Sequence, residues 1–383
     1  ERNMAFATID LTKGVTGVLP SANATYSTPR ENAKPIIING NMAVAQRGTS
    51  VTSLTSSGAV QTVDRIKNEI SNIGTYTVIQ ESLSSGEAYN NGFRKAWRID
   101  CTSADASPAA GDNLYVTYHF EGQDLQLFKK GTSNAQKFTL AFWIKSNKTG
   151  TGQVNLRDND NSRLIGGTYT ISSADTWEHK VVNFAADTTG AFDNDNAGSM
   201  DIEWWLDSGT TYSSGTTPTA WEAFSQADRN ASGNLQIARN TANDWAITGV
   251  QLEVGEFTST TLPPFQHEDF GDNLARCQRY YYRMINENIS MATFSYYSSN
   301  RVEAGISFPV TMRTAPSLVS TSGSGYFRVQ RNGGDNNLND LSANNIGLNH
   351  ASIFNTDEAS GNAGNAGFGY SRGSGYLSWN AEL

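Results

Sequence analysis

The sequence predicts an all-β protein in which a jelly-roll β-sandwich is followed by a short connecting helix and a small C-terminal β-sandwich domain. Three observations predict this class. Strand-length segments follow one another between residues 36 and 264 without an intervening helix. Most of them alternate apolar with polar residues, as half-buried antiparallel strands do. Gly, Ser, Thr and Asn separate them, and the 35 glycines supply turn geometry.

The chain is predicted to contain four segments. Residues 1–35 are turn-rich and lack the apolar residues for a core, so we expect an extended anchoring arm that is ordered only by docking on another surface. The sandwich occupies residues 36–264, a helical connector residues 265–288, and the C-terminal β-domain residues 289–383. Within the sandwich, residues 36–50 contain two apolar runs around an Asn-Gly turn, which predicts a β-hairpin.

The individual strands are predicted from their alternation and length. In the sandwich they are residues 95–103, 113–122, 138–147, 152–158, 167–172, 178–185, 199–207, 234–240 and 245–255. Beyond the connector they are residues 291–298, 302–310, 317–322, 326–331 and 375–383. So many strands without helices fold as a two-sheet sandwich. Residues 124–131 predict a short helix or a crossover, and the Gly/Asn/Ser-rich residues 332–366 predict loops.

The connector has a helical pattern. Its apolar residues recur at spacings of four, three, four and three, which predicts one helical face; they are Phe270, Leu274, Cys277, Tyr281 and Met284. Pro263-Pro264 ends the strand before it, and Phe265 is expected to plug the base of the sandwich.

Composition excludes several classes of function. The net charge is −9 and no basic run exceeds two residues, so we expect no binding to nucleic acid. No apolar run approaches the ~20 residues of a membrane helix, so we expect no membrane insertion. Cys101 and Cys277 lie far apart in the chain, and we expect both thiols to be free and buried.

The polar residues predict no catalytic site. The four histidines are scattered, and His119 and His179 lie inside strand patterns, where packed or surface roles are favoured. Asp201 and Glu203 resemble the carboxylate pair of a glycan-cleaving enzyme, but they share one side of a strand that we expect to face solvent. We therefore expect no enzymatic activity, and no cofactor beyond a structural metal ion.

That metal ion would be calcium. The tetrapeptide Asp-Asn-Asp-Asn occurs at 158–161 and at 193–196, and alternating Asp and Asn oxygens are ligands that calcium prefers. The candidate ligands are Asp158, Asp160, Asp193 and Asp195. The alternative is a pair of Asx-rich turns, in which these side chains bond their own backbone.

Aromatic residues are the better indication of a binding site. Trp204 and Trp205 are adjacent, so on a strand they point to opposite sides. Tyr212 and Trp221 lie in and beside a Ser/Gly/Thr-rich loop, residues 208–219. Flat rings beside hydroxyl and amide groups bind sugars through stacking and hydrogen bonds. These four residues are the candidate ligand-binding residues, with core packing as the alternative for each.

Several motifs occur together in this order. Residues 35–50 contain an Asn-Gly turn and a Gln-Arg-Gly sequence, and Thr62-Val63-Asp64-Arg65 follows, with Ile66 where tryptophan is usual. Residues 246–283 contain a "TGVQLEVG" strand, a Pro-Phe turn and "FGDNLARCQRYY". Together these segments resemble bacteriophage tail-fibre and related virion proteins that carry a carbohydrate-binding-module-like jelly roll. Further similar segments are residues 11–24, 140–147, 175–184, 187–206, 308–316 and 379–383.

The resemblance covers most of residues 9–383 and is most specific at residues 246–283. It implies a homotrimeric virion appendage, a tail fibre, whose arm at residues 1–35 attaches to other virion proteins and whose sandwich faces host-surface glycan. Two alternatives remain open. One is a capsid head-fibre or decoration protein with the same modules. The other is a glycan-degrading tailspike, or a binding module cut from a secreted glycosidase.

Overall fold

The computed structural model describes residues 34–58, 60–286 and 288–383, which form two β-sandwiches with one short helix between them. The predicted all-β class with a jelly-roll sandwich is confirmed. Nearly all of the expected anchoring arm lies outside the described residues. Within the described ranges, no helix is long and apolar enough to cross a membrane.

The first sandwich contains eleven strands. They are β1 (Ser50–Ser56), β2 (Lys67–Ser82), β3 (Lys95–Ser103), β4 (Asn113–Glu121), β5 (Phe138–Lys145), β6 (Gly150–Asp158), β7 (Arg163–Ile171), β8 (Glu178–Phe184), β9 (Gly198–Ser208), β10 (Glu222–Ala223) and β11 (Asp244–Val254). The hydrogen-bonded order is β10-β7-β6-β9-β4-β2-β3-β11-β5-β8, and β1 pairs with β2. The helical turns are α1 (Glu87–Asn90), α2 (Thr210–Ser213) and 3-10 turns at Gly122–Asp124, Gln126–Phe128, Gln226–Asp228 and Ile237–Arg239.

The long strand β2 carries the sheet from one layer of the sandwich to the other. Its first part pairs with β4 and its second part, from Thr75, pairs with β3. The bend lies between them, where Asn72 and Gly74 have φ of 51° and 79°. A Cβ on Gly74 would lie 2.6 Å from the carbonyl oxygen of Ser103, so glycine is required there. β2 is absent from the predicted strands because this bend interrupts its alternation, and β1 is absent because its residues are mostly polar and exposed.

Alternate residues of both layers form the main core. Trp204 on β9 and Phe142 on β5 meet edge to face at 5.9 Å between ring centroids, and both are fully buried. Aromatic pairs in this geometry contribute about 0.5–1.5 kcal/mol beyond the area they bury. Cys101 belongs to this core, and both cysteines are free and buried, as predicted.

One predicted hairpin and one predicted strand of this sandwich are wrong. Residues 36–50 form turns before β1 begins, because Asn39 and Met42 have positive φ and the Asn39 side chain bonds to both N and O of Val44. Residues 234–240 hold the 3-10 turn Ile237–Arg239. For residues 124–131 the sequence predicted either a short helix or a crossover. The structure has a 3-10 turn there, at Gln126–Phe128.

The C-terminal domain follows helix α3 (Phe270–Gln278). Its strands are β12 (Tyr281–Asn286), β13 (Ser290–Ser298), β14 (Arg301–Ser307), β15 (Ser317–Ser320), β16 (Phe327–Arg331), β17 (Gly334–Leu338), β18 (Ser342–Asn344), β19 (His350–Asn355), β20 (Ala366–Ser371) and β21 (Tyr376–Asn380). A seven-stranded sheet, β17-β16-β20-β13-β14-β19-β18, packs on a three-stranded sheet, β12-β21-β15. Residues 332–366 are therefore not the predicted loops, since β17, β18 and β19 lie within them.

The predicted helical face is correct only in its centre. Asp269 caps α3 by accepting a 2.8 Å bond from the backbone of Gly271, and Cys277 is fully buried. The helix ends at Gln278, so Tyr281 and Met284 belong to β12 instead, where Tyr281 pairs with Asn380 of β21 and Met284 lies at a register shift. Phe270 is 58% exposed and lies outside the buried stripe.

A junction of charged residues joins the two sandwiches. Arg65 donates to Glu382 at 2.5 Å, and its guanidinium lies 3.5 Å from the ring centroid of Tyr280. Glu121 accepts bonds from both Arg279, at 2.7 and 2.9 Å, and the hydroxyl of Tyr280, at 2.5 Å. The junction therefore buries its charges in pairs, as burial of charge requires.

The motifs that carry the resemblance meet at this junction. Gln46 donates to Asp64 through its backbone at 3.1 Å and through its side chain at 2.5 Å, and also to the carbonyl of Tyr281 at 2.6 Å. Arg47 lies 3.5 Å from the ring centroid of Tyr281 and 3.3 Å from Glu382. The Gln-Arg, Asp-Arg and Arg-Tyr-Tyr motifs therefore hold the two domains together.

Candidate functional site

An aromatic pair lies on the outer side of the layer formed by β3, β11, β5 and β8. Trp143 on β5 is directly opposite His179 on β8, and their rings are in contact, 4.9 Å apart between centroids and tilted by 31°. Phe142 and Ile144, the neighbours of Trp143, point into the core and are fully buried. Strand alternation therefore places Trp143 outward, where it is half-buried.

A bulge in β11 brings a second ring against Trp143. The pairing of β11 with β5 shifts register between Thr248 and Gln251, and Gly249 there has φ of 61°. A Cβ on Gly249 would lie 2.6 Å from the Phe93 ring and 2.9 Å from the Trp143 ring. Only glycine therefore permits both the backbone conformation and the close approach of the two rings.

The segment after β11 supplies the other wall. Phe265 meets Phe93 edge to face at 4.9 Å, and His267 lies 4.9 Å from Phe265 and 5.2 Å from Phe93. The side chain of Gln251 donates to the carbonyl of Pro263 at 3.0 Å and so holds the Pro-Pro turn in place. Phe265 thus packs outside the main core and does not plug the base of the sandwich.

Together these residues line an open cleft of about 410 Å³, which we call the Trp143 cleft. Its lining residues are Asn91, Phe93, Trp143, His179, Gln251, Ser259, Leu262, Pro263, Pro264, Phe265 and His267. The cleft combines flat rings with amide and hydroxyl groups, and its volume lies in the range of small-molecule sites.

The Trp143 cleft is electrically neutral near pH 7. Burial lowers the pKa of the His179 imidazole, and the neighbouring Lys180 charge lowers it further. Burial also lowers the pKa of His267, and the Arg94 charge acts in the same direction, against a hydrogen bond with the Asn91 backbone. No acidic or basic side chain is among its other lining residues. The cleft therefore suits an uncharged ligand.

The four predicted aromatic residues do not form one site. Trp204 is fully buried in the main core, so it presents no face to a ligand. Trp205 points to the other side of β9, as the alternation predicted, but it is also fully buried. It stacks on Tyr115 at 4.5 Å and lies 5.1 Å from Tyr212, with the Arg229 guanidinium 4.5 Å from its ring. Of the four, Trp205 and Tyr212 are the two that the structure brings together.

The prediction that Asp201 and Glu203 lie on a solvent-facing side of β9 is also wrong. Asp201 and Glu203 do share a side of the strand, but they are only 7% and 1% exposed. Glu203 accepts bonds from Arg229 at 2.6 and 3.1 Å and from the Trp205 indole at 3.0 Å. The segment from α2 to Arg229 folds over this side, and Asn155 fixes it by donating to the Arg229 carbonyl. A covered, ion-paired carboxylate replaces the predicted charged surface.

His119, predicted to be packed or at the surface, pairs with Asp201. The imidazole Nδ1 and a carboxylate oxygen of Asp201 are 2.5 Å apart. Burial by itself raises the pKa of Asp201, but the hydrogen bond and charge of His119 outweigh it, so the pKa is lowered. Asp201 is therefore ionised and already paired with His119.

Trp221 and Asp158 lie in a third region, apart from the Trp143 cleft and from Trp205, around a buried lysine. Lys130 is 4% exposed, and its ammonium contacts Asp158 at 2.5 Å and Asp187 at 3.0 Å. It also donates to the carbonyls of Thr189 and Gly190 at 3.2 and 2.6 Å. The indole of Trp221 lies 4.9 Å from this ammonium and is 9% exposed. We call the two carboxylates and two carbonyls that surround this ammonium the Lys130 cage.

The Lys130 cage corrects the calcium prediction at Asp158. Two carboxylates and two carbonyls form the oxygen environment that calcium prefers, but the ammonium of Lys130 is the cation at its centre. Asp160 accepts a 2.9 Å bond from the backbone of Asp193, so the two Asp-Asn-Asp-Asn loops do lie side by side. Asp195 bonds the backbone of Ala197, as an Asx turn does. Across the described part of the chain, no three His, Cys, Asp or Glu side chains group as a metal site would require.

Sequence reasoning missed the residues of the Trp143 cleft. Trp143 lies in "LAFWIK", where Phe142 and Ile144 occupy the apolar register, so a tryptophan in the polar register was the available signal. Phe93 and His267 carry no such signal, because their positions depend on the Gly249 bulge and the Pro-Pro turn.

Comparisons with known proteins give distant matches. No protein-family profile and no curated protein matches the chain. Among solved structures, the enzymatically active domain of tailspike protein 4 of bacteriophage CBA120 is similar over 57% of this chain and 21% of its own length, with 11% identity and a TM-score of 0.30.

Two further structures cover nearly their whole length. A putative sugar binding protein from Bacteroides thetaiotaomicron matches 58% of this chain and 100% of its own, with 13% identity and a TM-score of 0.29. The family 11 carbohydrate-binding module of Clostridium thermocellum Lic26A-Cel5E matches 54% of this chain and 99% of its own, with 9% identity and a TM-score of 0.26. At these scores the matches assign no ligand or activity to this chain.

Proposed function

We propose that the protein is a non-enzymatic fibre protein of a bacteriophage virion that binds neutral host-surface glycan in the Trp143 cleft. The observation that carries the glycan part is the cleft itself. The half-buried indole of Trp143 stands beside amide, hydroxyl and imidazole groups in an open, uncharged space. A sugar ring stacks its apolar face on such an indole and bonds its hydroxyls to the polar groups around it.

The fibre part rests on the motifs and on the junction that they form. The Gln-Arg, Asp-Arg and Arg-Tyr-Tyr motifs resemble those of tail-fibre proteins, and their side chains fix two β-domains relative to each other. A fibre presents its domains at a distance from the particle and gains from such a rigid connection. In this proposal residues 1–35 attach to other virion proteins and the chain forms a homotrimer.

Trimerisation would compensate for weak individual sites. An open cleft with one stacking tryptophan binds a short glycan weakly, and linking three such sites raises the effective concentration at a glycan-coated surface. Avidity can exceed single-site affinity by ~10²–10⁴-fold without any new contact.

The binding test compares Trp143→Ala with the unaltered protein. Purified protein is screened on an array of neutral oligosaccharides, and the best ligand is titrated by calorimetry. We expect Trp143→Ala to weaken binding about tenfold or more, because it removes the stacking surface, at a cost of about 1.4 kcal/mol or more. Phe270→Ala, at an exposed aromatic residue outside the cleft, is the matched control and should bind normally. Equal binding by Trp143→Ala would refute the cleft as the site.

The fibre role is tested separately. Light scattering should give three times the mass of one chain, and antibody-labelled electron micrographs should place the protein on an external appendage of the virion. A single-chain mass would contradict the trimer. Release of reducing ends from a host polysaccharide would contradict the non-enzymatic role.

A further inference from the structure

The outer side of the seven-stranded C-terminal sheet carries an exposed aromatic ring at its centre. Phe368 on β20 is 67% exposed, although it lies in the middle of a strand. Its neighbours across the sheet are Thr293 on β13 and Gln330 on β16, which lie directly opposite it in register. The ring is therefore flanked on both sides by short or uncharged polar side chains.

The strand beneath Phe368 is held tightly in place. Gly367 and Gly369, its neighbours, point inward, where a Cβ would lie 2.7 Å from a methyl carbon of Val329 and 2.3 Å from the Phe294 ring. These glycines allow the core to pack directly under the backbone of β20. The backbone that carries Phe368 is thus fixed by close packing on its inner side.

A groove of about 480 Å³ runs beside the ring. It is lined by Thr293, Gln330, Arg331, Asn332, Ala366, Gly367 and Phe368. Ala366 is the next outward residue on β20, and its small side chain leaves the edge of the ring open. We call this space the Phe368 groove. It is not part of the Trp143 cleft, since the two share no lining residue.

The charged side chains around the Phe368 groove already have hydrogen-bond or ion-pair partners. Arg331, the charged lining residue, donates to the Ser360 carbonyl at 2.8 Å and to the Tyr296 hydroxyl at 3.2 Å. Two ion pairs stand further out on the same sheet, Arg328 with Asp335 and Arg301 with Glu303. The groove therefore offers a ring, a hydroxyl and two amides, beside one guanidinium that already donates to protein oxygens.

We propose that the Phe368 groove is a second carbohydrate-binding site, with a neutral sugar as its ligand. The sugar ring stacks on Phe368, and its hydroxyls bond to Thr293, Gln330 and Asn332. The core of an interface with a second protein chain would be more apolar than this polar-lined groove. The proposal adds to the function proposed above but stands on its own residues. It gives each chain two sites on two rigidly joined domains.

The test uses saturation-transfer NMR with neutral di- to tetrasaccharides of glucose, galactose and N-acetylglucosamine. Four full-length proteins are compared: unaltered, Trp143→Ala, Phe368→Ala and the double variant. We expect Trp143→Ala to retain saturation transfer to ring protons of at least one sugar. Adding Phe368→Ala should reduce that remaining signal about tenfold or more. Tyr297→Ala, which removes a 75% exposed ring of the same domain outside the groove, should leave it unchanged.

The outcomes separate the two sites. If Trp143→Ala abolishes all saturation transfer, or if the double variant keeps the signal of Trp143→Ala, the Phe368 groove is not a sugar site. If Phe368→Ala lowers the mass of the assembly while sugar binding is unchanged, the face is a subunit interface and the proposal is wrong. If Phe368→Ala alone removes all binding, the groove is supported and the Trp143 cleft is not.

Discussion

Arg65 donates a 2.5 Å hydrogen bond to Glu382, and this contact joins the start of the first sandwich to the end of the chain. The Arg65 side chain is 2% exposed and that of Glu382 is 11% exposed. Arg47 reaches the same carboxylate at 3.3 Å and also lies 3.6 Å from Asp64, so Glu382 is shared by two buried guanidinium groups. The Gln-Arg, Asp-Arg and Arg-Tyr-Tyr motifs thus supply the contacts that join the two domains.

Glu382→Gln should therefore destabilise the protein. Removing one partner leaves buried positive charge uncompensated, and we expect a loss of about 3 kcal/mol in the free energy of unfolding. Glu256→Gln is the control, because its pair with Lys137 is about half exposed on both sides and should contribute under about 1 kcal/mol. Urea unfolding of the three proteins measures this. Equal midpoints for both variants would contradict a structural role of the junction.

Asp64 predicts a pH dependence of stability. Burial raises the pKa of this carboxyl to about 6, although the Arg47 charge and the hydrogen bonds from Gln46 oppose the shift. Its ordinary value is 3.8, so between these pH values the folded protein holds the proton more often than the unfolded chain does. The contribution of Asp64 to stability is then lost as pH rises from about 4 to 6.

Asp64→Asn isolates this contribution. Unfolding free energies of both proteins are measured from pH 4 to pH 7. The advantage of the unaltered protein over Asp64→Asn should decrease with rising pH, by up to about 3 kcal/mol. A difference that stays constant across this range would show that Asp64 has no raised pKa.

Lys130 predicts that calcium does not stabilise the unaltered protein. The ammonium already fills the Lys130 cage, so neither calcium chloride nor a chelator should change the melting temperature. Lys130→Met leaves two buried carboxylates without their shared cation and should cost about 3–5 kcal/mol. Lys130→Gly opens the centre of the cage, and calcium should raise its melting temperature. A drop in the melting temperature of the unaltered protein with chelator would contradict this arrangement.

Gly249→Ala should damage the Trp143 cleft. Alanine at φ of 61° is strained, and its Cβ would overlap the Phe93 and Trp143 rings. We expect a loss of about 1–3 kcal/mol in stability together with weaker glycan binding. Gly111→Ala is the matched control, because no atom lies within 4 Å of its added Cβ. Thermal unfolding and calorimetric titration of both variants measure the effect, and indistinguishable variants would refute it.

Trp204 should behave as a core residue and not as a binding residue. Trp204→Ala removes a fully buried side chain and should lower the unfolding free energy by about 3–5 kcal/mol. Trp143→Ala, at a half-buried ring, should cost clearly less stability but weaken glycan binding in the Trp143 cleft about tenfold or more. Denaturant titration and glycan titration of the two variants distinguish these roles. If Trp204→Ala weakened glycan binding with little loss of stability while Trp143→Ala left binding unchanged, the binding site would lie on β9 and not in the Trp143 cleft.

The alternation of apolar and polar residues predicted most of the strands, because every second residue of a half-buried strand faces the core. β3, β5, β9 and β11 lie where "KAWRIDCTS", "FTLAFWIK", "SMDIEWWLD" and "WAITGVQLEV" alternate. The failures have non-local causes. β17 lies in a Gly/Asn-rich run with weak strand propensity, and pairing with β16 from Phe327 to Arg331 supplies its hydrogen bonds. Tyr281 leaves the predicted helix because β21 pairs with it from the far end of the chain.

The predicted binding residues show the same contrast between what local sequence indicates and what non-local contacts decide. Adjacency in sequence was enough to place Trp204 and Trp205 on opposite sides of β9. It could not show that the segment up to Arg229 folds back over the outer side and buries Trp205 as well.

By itself, the sequence determined the all-β class, the jelly-roll sandwich, the two free buried cysteines and, for strands such as β5 and β9, the side that faces the core. These properties depend on residues close together in the chain. The tertiary structure alone decided which rings stay accessible, which cation fills the oxygen cage and which motifs join the domains. Those outcomes depend on contacts such as Arg65 with Glu382, between residues hundreds of positions apart, for which local patterns carry no signal.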